Sequence, residues 1–290
     1  VRAKAVHGAG ILAWQQGDYA AARQRFEQCC AIRQRLGDRR GVARSLGNLG
    51  ILAREQGELD SADDLLRRSL AIRRELGDRW GVAAALCNLG LVAHDRSDYE
   101  AARSRFEECI PIFREVGDQR SIAGCLSNLG EVAIADGDHS LAKSWYEQGL
   151  AMFRSLGDRR GISIALTGLG QVAAVQLDFT SARAMHAESL ALKVELGDRR
   201  GIAFSLESLA HVSASCAAHE LAATLWGRAD ALRREIEAPL TDSERIERDR
   251  QVTDARTAFG DDAAFARASQ RGQQMTTADA VELALGQRAS

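Results

Sequence analysis

The sequence predicts an all-α protein, a solenoid of six helix-turn-helix copies closed by a helical cap at its C-terminal end. Three observations carry that reading. The first 240 of 290 residues align with themselves at a forty-residue period without a gap. Within each period apolar residues fall at helical intervals, and each period closes near a Gly-Asp pair or a variant of it, which suits a helix stop followed by a helix start. A helix pair of this length cannot bury its apolar face alone, so neighbouring copies must stack.

The copies are 1–40, 41–80, 81–120, 121–160, 161–200 and 201–240. In the second, Val42, Leu46, Leu49 and Ala53 form one stripe and predict a helix from about Asp38 to Gln56. Ala62, Leu66, Ser69, Ile72 and Leu76 form the other and predict a helix from about Glu58 to Leu76. Gly37 suits the left-handed residue that ends one helix, and Asp38 can accept from the free amides that begin the next. The first and sixth copies are the most divergent, as terminal repeats of a stack are. Pro111 interrupts the second helix of the third copy where alanine stands in all five of the others; it predicts a kink at a cost of about 3 kcal/mol in an ordinary helix interior.

Beyond 240 the period stops. In 241–290, TDSERIERDRQVTDARTAFG reads as a polar helix opening at Thr241 or Asp242, AAFARASQRG as a shorter one and TTADAVELALG as a last one opening at Thr276 or Thr277. Phe259, Phe265, Val281, Leu283 and Leu285 are the residues predicted to cover the open end of the sixth copy.

Composition narrows the function classes. Lys+Arg 38 against Asp+Glu 40 gives a formal charge of −2, which removes the simple electrostatic case for a nucleic-acid or membrane-surface binder. No apolar run is long enough for a membrane span, and the start is not a signal peptide, so a soluble, cytoplasmic protein is expected. The six cysteines form no CxxC pair and no Cys/His spacing of a zinc site; they read as small buried hydrophobes in a reducing compartment. Only three basic residues are lysine: Lys4, Lys143 and Lys193.

Catalytic grammar is missing. There is no GxxxxGK[ST], GxGxxG after a strand, HExxH or GxSxG. The histidines His7, His94, His139, His186, His211 and His219 fall in different copies and columns, and read as scattered structural or surface residues that titrate singly. The expectation is a non-enzyme without cofactor or metal.

The spacing Leu46-x2-Leu49-Gly50-x2-Ala53, followed by Ala62-x3-Leu66, resembles the tetratricopeptide repeat. Ala22/Phe26, Ala102/Phe106 and Ala142/Tyr146 repeat its second half with the aromatic in place. The resemblance covers residues 1 to about 238 in the forty-residue variety seen in kinesin light chains and many bacterial regulators. Alanine or serine replaces the family's tyrosine, and the terminal proline is missing. The resemblance implies a right-handed α-solenoid whose first helices line a concave groove.

In that groove the eighth column of each copy would carry Asn48, Asn88 and Asn128. Two roles fit these asparagines: their amides can hold the backbone of an extended peptide, or each can bond a neighbouring helix and lock the stack. Cys87 and Ser127, with Ala84 and Gly124, would keep the groove wall small. Arg44, Arg54, His94 and Glu131, beside Glu55 and Asp95, add mixed charge, and Gln171, Glu207 and His211 continue it. The arginines Arg39, Arg79, Arg159 and Arg199 are expected to pair with acids such as Glu75, Glu115 and Glu195 rather than to form a basic ridge. Trp80 stands out as a large aromatic in a turn column.

The tail, with its LWGRADALR, APLTDSER, DARTAFGDDAAFARA and TTADAVELAL elements, is similar to the C-terminal repeat region of bacterial multidomain ATPase regulators, often of LuxR or SARP type. That resemblance implies a module excised from a longer chain, an interaction and sensor arm. Its partner would be a protein or peptide, including an upstream ATPase domain of the same chain, or a small inducer. The alternative is a stand-alone scaffold or adaptor that organises a protein complex.

Overall fold

The computed structural model describes residues 2–286, and among them there are helices and turns but no strand. Val1 and the last four residues of the predicted cap, 287–290, lie outside the described residues. The helices fall into two compact units, one ending at Gly137 and the other beginning at Asp138. The first holds α1 (Arg2–Gln15), α2 (Tyr19–Arg35), α3 (Arg39–Glu55), α4 (Leu59–Glu75), α5 (Arg79–Asp95), α6 (Tyr99–Glu115) and α7 (Gln119–Ala135). The second holds α8 (His139–Ser155), α9 (Arg159–Val175), α10 (Phe179–Glu195), α11 (Arg199–Ser215), α12 (His219–Glu235), α13 (Asp242–Phe259), α14 (Asp262–Gln274) and α15 (Thr277–Leu285). Within each unit, every helix of the repeating part packs on the next in sequence.

The regular spacing comes from the turns. The carboxylate of Asp38 accepts from the Gly41 amide at 2.9 Å and so caps α3, and Asp78, Asp118 and Asp158 do the same for α5, α7 and α9. Glu58 and Ala218 hold the same position before α4 and α12 without a side-chain cap. Just before the cap the chain turns through a left-handed residue, Gly37 at φ +67 for example. Ser97, Leu177, Ala217 and Glu237 take that conformation without being glycine. The α3 and α4 bounds agree with the stripes read from the sequence to within a residue or so. Pro111 lies inside α6, which continues helically from Tyr99 to Glu115.

The core is a file of small residues against large ones. Ala22 and Phe26 of α2 are fully buried against Leu49 and Leu52 of α3. A Cβ on Gly50 would stand 2.7 Å from Leu66, so glycine there sets how closely α3 and α4 approach. In the second unit Leu206, Trp226 and Leu232 share one cluster with Phe265, Ala268, Val281 and Ala284, and Phe259 and Leu285 pack on its edge. Leu283 instead lines a cleft with Phe259 and Met275. Helices α12 and α14 cross with almost no side chain between them: a Cβ on Gly227 would meet the Ser269 carbonyl oxygen, and one on Gly272 that of Thr224.

The row Arg39, Arg79, Arg159 and Arg199 is spent on ion pairs. Arg39 pairs with Glu75, Arg79 with Glu115, Arg159 with Glu195, and Arg199 with Glu235 at 2.6 Å, each reaching the acid at the end of the next copy's second helix. All four pairs are exposed, so each contributes about 0–1 kcal/mol and they act mainly as register marks.

Candidate functional site

In the first unit a cavity of about 480 Å³ opens between α3 and α5, with α4 contributing to its lining. It brings together three of the residues singled out from the sequence, Arg44, Asn48 and Asn88, and adds Arg40, Arg73 and Trp80. Arg44 is exposed while Asn48 and Asn88 are half-buried. The Asn88 amide donates to the Ala84 carbonyl of its own helix at 2.8 Å. Among the described residues no protein group bonds the Asn48 amide.

The electrostatics of this cavity follow from who is already paired. Asp38 and Asp78 both line it, and both use one oxygen to cap a helix, on the Gly41 and Gly81 amides. Asp78 also faces Arg73 Nη1 at 3.6 Å. Arg73 is further held by its Nε donating to Ser69 Oγ at 3.1 Å, and Ser69 donates to the Ala43 carbonyl at 2.7 Å. Arg40 and Arg44 have no ion-pair partner among the described residues. The cavity therefore carries surplus positive charge. Trp80, half exposed, donates through Nε1 to Asp118 Oδ2 at 2.7 Å, which fixes its ring at the rim.

Arg54, His94 and Glu131 form a second cluster in this unit. Arg54 Nε donates to Asp95 Oδ2 at 2.7 Å, and His94 Nδ1 lies 3.7 Å from Asp95 Oδ1. Contact with Asp95 raises His94 above its ordinary value; burial and Arg54 oppose, and Glu131 adds to the rise. Burial works against Asp95 ionising, yet His94 and Arg54 together hold it below the usual carboxylate range. Surrounding protein atoms push Glu131 up, despite its accessible surface, and the Asp95 charge adds to this while His94 and Arg54 resist.

Cys87 and Asn128 meet at one point: Asn128 Nδ2 lies 4.0 Å from Cys87 Sγ. Ser127 is buried and donates to its own helix at the Ala123 carbonyl, 3.2 Å away, so it forms wall rather than contact.

In the second unit the predicted residues do different work. Glu207 is bound bidentately by Arg233 at 2.6 and 2.7 Å, with both side chains largely buried, so its carboxylate is committed to the protein interior. His211 is half-buried, and burial lowers its pKa, with Glu247 opposing and Arg250 assisting. Gln171 is half-buried on α9. His186 does not titrate alone: after burial, Lys193 and His211 both add to its lowering.

Sequence reading missed the basic residues of one column: Arg33, Arg73, Lys193 and Arg233 stand where Phe113 and Phe153 stand in the third and fourth copies. Arg33 is 1% exposed and donates to Ser45 Oγ and the Gly41 carbonyl. The signal was available, since cations in a column that also accepts phenylalanine need interior partners, and the serines Ser45 and Ser205 stand twelve residues on from Arg33 and Lys193. The cysteines also depart from the expectation, as Cys216 is exposed and Cys87 half-exposed. No group of three or more His, Cys, Asp or Glu able to hold a metal occurs among the described residues. Nor is any helix among them long and apolar enough to cross a membrane.

The family model for the tetratricopeptide repeat matches residues 2–75 and 81–155, just over half of the chain. No curated protein matches the sequence significantly. Among solved structures, BtubC (BKLC) from P. vanneervenii is similar at 18% identity and TM-score 0.64, over 77% of this chain and 94% of that one. A Rap protein complexed with competence and sporulation factor is similar at 12% identity and TM-score 0.69, over 98% of this chain and 76% of that one. A signal-transduction ATPase with numerous domains and a tetratricopeptide repeat sensor, from Pyrococcus horikoshii, is similar at 12% identity and TM-score 0.66, over 94% of this chain and 44% of that one. At these identities the likeness establishes the fold alone.

Proposed function

The chain belongs to the tetratricopeptide repeat family, and on that premise we propose that it is a non-catalytic interaction module that holds an extended, acidic peptide segment of a partner protein. The observation that carries this reading is the cavity between α3 and α5. It joins a surplus of arginine charge to Asn48 and Asn88, whose amides match a peptide backbone in any sequence. The stack-locking role is less supported at two of the three positions, because Asn88 bonds its own helix and Asn48 bonds none, while Asn128 alone reaches a neighbouring helix, at Cys87 Sγ. On this reading the chain comprises six repeats over 1–240 followed by a capping segment over 241–290.

The finer reading places the module in the cytoplasm as the sensor arm of a bacterial signalling or transcriptional regulator, its partner in trans or an upstream ATPase domain of the same chain. Two similarities support it: one relative by fold is an ATPase with a repeat sensor, and another is complexed with competence and sporulation factor.

The test is fluorescence polarisation with a panel of acidic, neutral and basic ten-residue peptides against the wild type, Arg44→Ala and the triple variant Asn48→Ala/Asn88→Ala/Asn128→Ala, with thermal melts to confirm folding. Acidic peptides should bind preferentially. Each lost charge-assisted or amide bond should weaken binding by about 1–2 kcal/mol, roughly tenfold. Unchanged affinity in a folded triple variant sinks the groove role of the asparagines.

A further inference from the structure

We propose that Cys87 and Cys125 form a reversible oxidation site that takes a hydroperoxide, with Cys109 as a third thiol able to accept the resulting bond. Three successive helices, α5, α6 and α7, each place one thiol at the same interior point. Cys109 and Cys125 Sγ atoms lie 3.3 Å apart, and Cys125 and Cys87 Sγ atoms 3.7 Å apart. Cys109 is 0% exposed and Cys125 1%, whereas Cys87 is half-exposed and is the point of entry for an oxidant.

The chemistry balances with hydrogen peroxide as the oxidant. The Cys87 sulfur attacks one peroxide oxygen, the O–O bond breaks, and Cys87 becomes a sulfenic acid while a molecule of water leaves. The Cys125 sulfur then attacks the sulfenic sulfur. An S–S bond forms, the S–O bond breaks, and the departing hydroxide leaves as water with the Cys125 proton. Two thiols have been oxidised and one peroxide reduced to two waters. The sulfurs must close from 3.7 Å to about 2.05 Å, the length of a disulfide. Cys109 can next attack Cys125, forming the Cys109–Cys125 bond and returning Cys87 as a thiol that takes the Cys109 proton.

The local electrostatics favour this order. Hydrogen bonds from Cys109 and Cys125, with the Arg54 charge assisting against burial, hold the Cys87 thiol well below its ordinary value. Cys125 is held above its own by its contacts with Cys109 and Cys87 and by burial. Cys216 is an internal control, an exposed cysteine outside this three-thiol contact.

The folded protein is treated with hydrogen peroxide, free thiols are blocked with N-ethylmaleimide, and disulfide-linked peptides are mapped by mass spectrometry. The expected product is a Cys87–Cys125 or Cys109–Cys125 peptide pair lacking two hydrogens and reversed by dithiothreitol. Cys87→Ser should abolish both linkages while Cys216 stays reactive, and Cys125→Ala should leave a Cys87 sulfenic acid that dimedone traps. Thermal melts check that the variants remain folded. The proposal is overturned if Cys216 is oxidised while Cys87 is not, if wild-type Cys87 stops at the sulfenic acid, or if Cys109–Cys125 forms equally in Cys87→Ser. These outcomes do not depend on peptide binding, so they stand or fall apart from the groove reading.

Discussion

The ammonium of Lys193 donates to the hydroxyl of Ser205 at 3.0 Å, and inside the second unit it finds oxygen dipoles rather than a carboxylate. Its other bonded acceptor is Thr167 Oγ1, also at 3.0 Å, and the Phe204 ring lies 5.5 Å away. A buried ammonium without a counter-charge is costly, and burial lowers Lys193 to about 8, with Asp198 opposing.

The sign of the consequence is fixed. Between about 8 and the ordinary lysine value of 10.5 the unfolded chain binds the proton and the folded one does not, so stability rises with pH across that window. Below it the penalty is present in full, on the order of 3 kcal/mol, while a methionine there would forfeit the two hydrogen bonds to Ser205 and Thr167, about 2 kcal/mol. Lys193→Met should therefore gain about 1 kcal/mol at pH 7 and flatten the alkaline rise. Urea denaturation at pH 7 and pH 10 checks both; a variant less stable at pH 7 with an unchanged slope refutes the account.

His186 predicts acid sensitivity. It occupies the column of Phe26, Phe106, Tyr146 and Trp226, is 2% exposed, and its Nδ1 has no partner. Burial, then Lys193 and His211, lower it to about 4. Its folded value lies below the unfolded 6.5, so stability falls as pH drops from about 6.5 to 4, by on the order of 3 kcal/mol. His186→Phe keeps the ring and removes the titration. Thermal melts from pH 4 to 7 should show a shallower acid slope in the variant than in the wild type.

Much of the fold was legible because it is written repeatedly. Leu46, Leu49 and Gly50 recur often enough that stripe, turn and cap confirm one another, and Asp38 named its own role. The candidate site was less so. Asn48 and Asn88 were visible as an amide column, but Arg73 and Trp80 reach the same cavity from other columns, and only folding brings them there. Glu207 shows the opposite failure. Its column read as groove, yet Arg233 turns its carboxylate inward, a pairing across 26 positions that no helical periodicity reports. The cysteine contact is likewise invisible in one dimension, since Cys87, Cys109 and Cys125 occupy three different columns.

Leu177 predicts a gain. It sits at φ +61, where three of the other five copies have glycine and the remaining two have Ser97 and Ala217, and is 73% exposed. A side chain in that conformation costs about 1–2 kcal/mol, part of which glycine returns as greater freedom when unfolded. Leu177→Gly should raise stability by about 0.5–1 kcal/mol. Gly137→Ala, at φ +78, should lower it by a similar amount, and the two changes measured by urea denaturation test the turn argument from both sides.

Pro111 predicts a larger one. It is exposed, so it contributes little packing, and its missing amide leaves the Glu107 carbonyl without the helical donor that alanine supplies in the five other copies. Pro111→Ala should stabilise the protein by about 1–3 kcal/mol and protect the amides of α6 in hydrogen exchange. Equal stability would mean that the surrounding helices have already absorbed the break.

Glu207 separates an interior role from a groove role. If its carboxylate serves Arg233, removing it strands a buried guanidinium, and Glu207→Ala should cost about 3–5 kcal/mol. Replacing both partners by apolar residues of similar size, Glu207→Leu with Arg233→Met, should recover most of that loss, because the pair's attraction is largely offset by desolvation. A groove residue behaves otherwise: its single substitution leaves stability within about 0.5 kcal/mol and changes only peptide affinity. The double-variant cycle in urea, read beside peptide polarisation on the same proteins, therefore decides whether the acidic end of this column belongs to the ligand or to the stack.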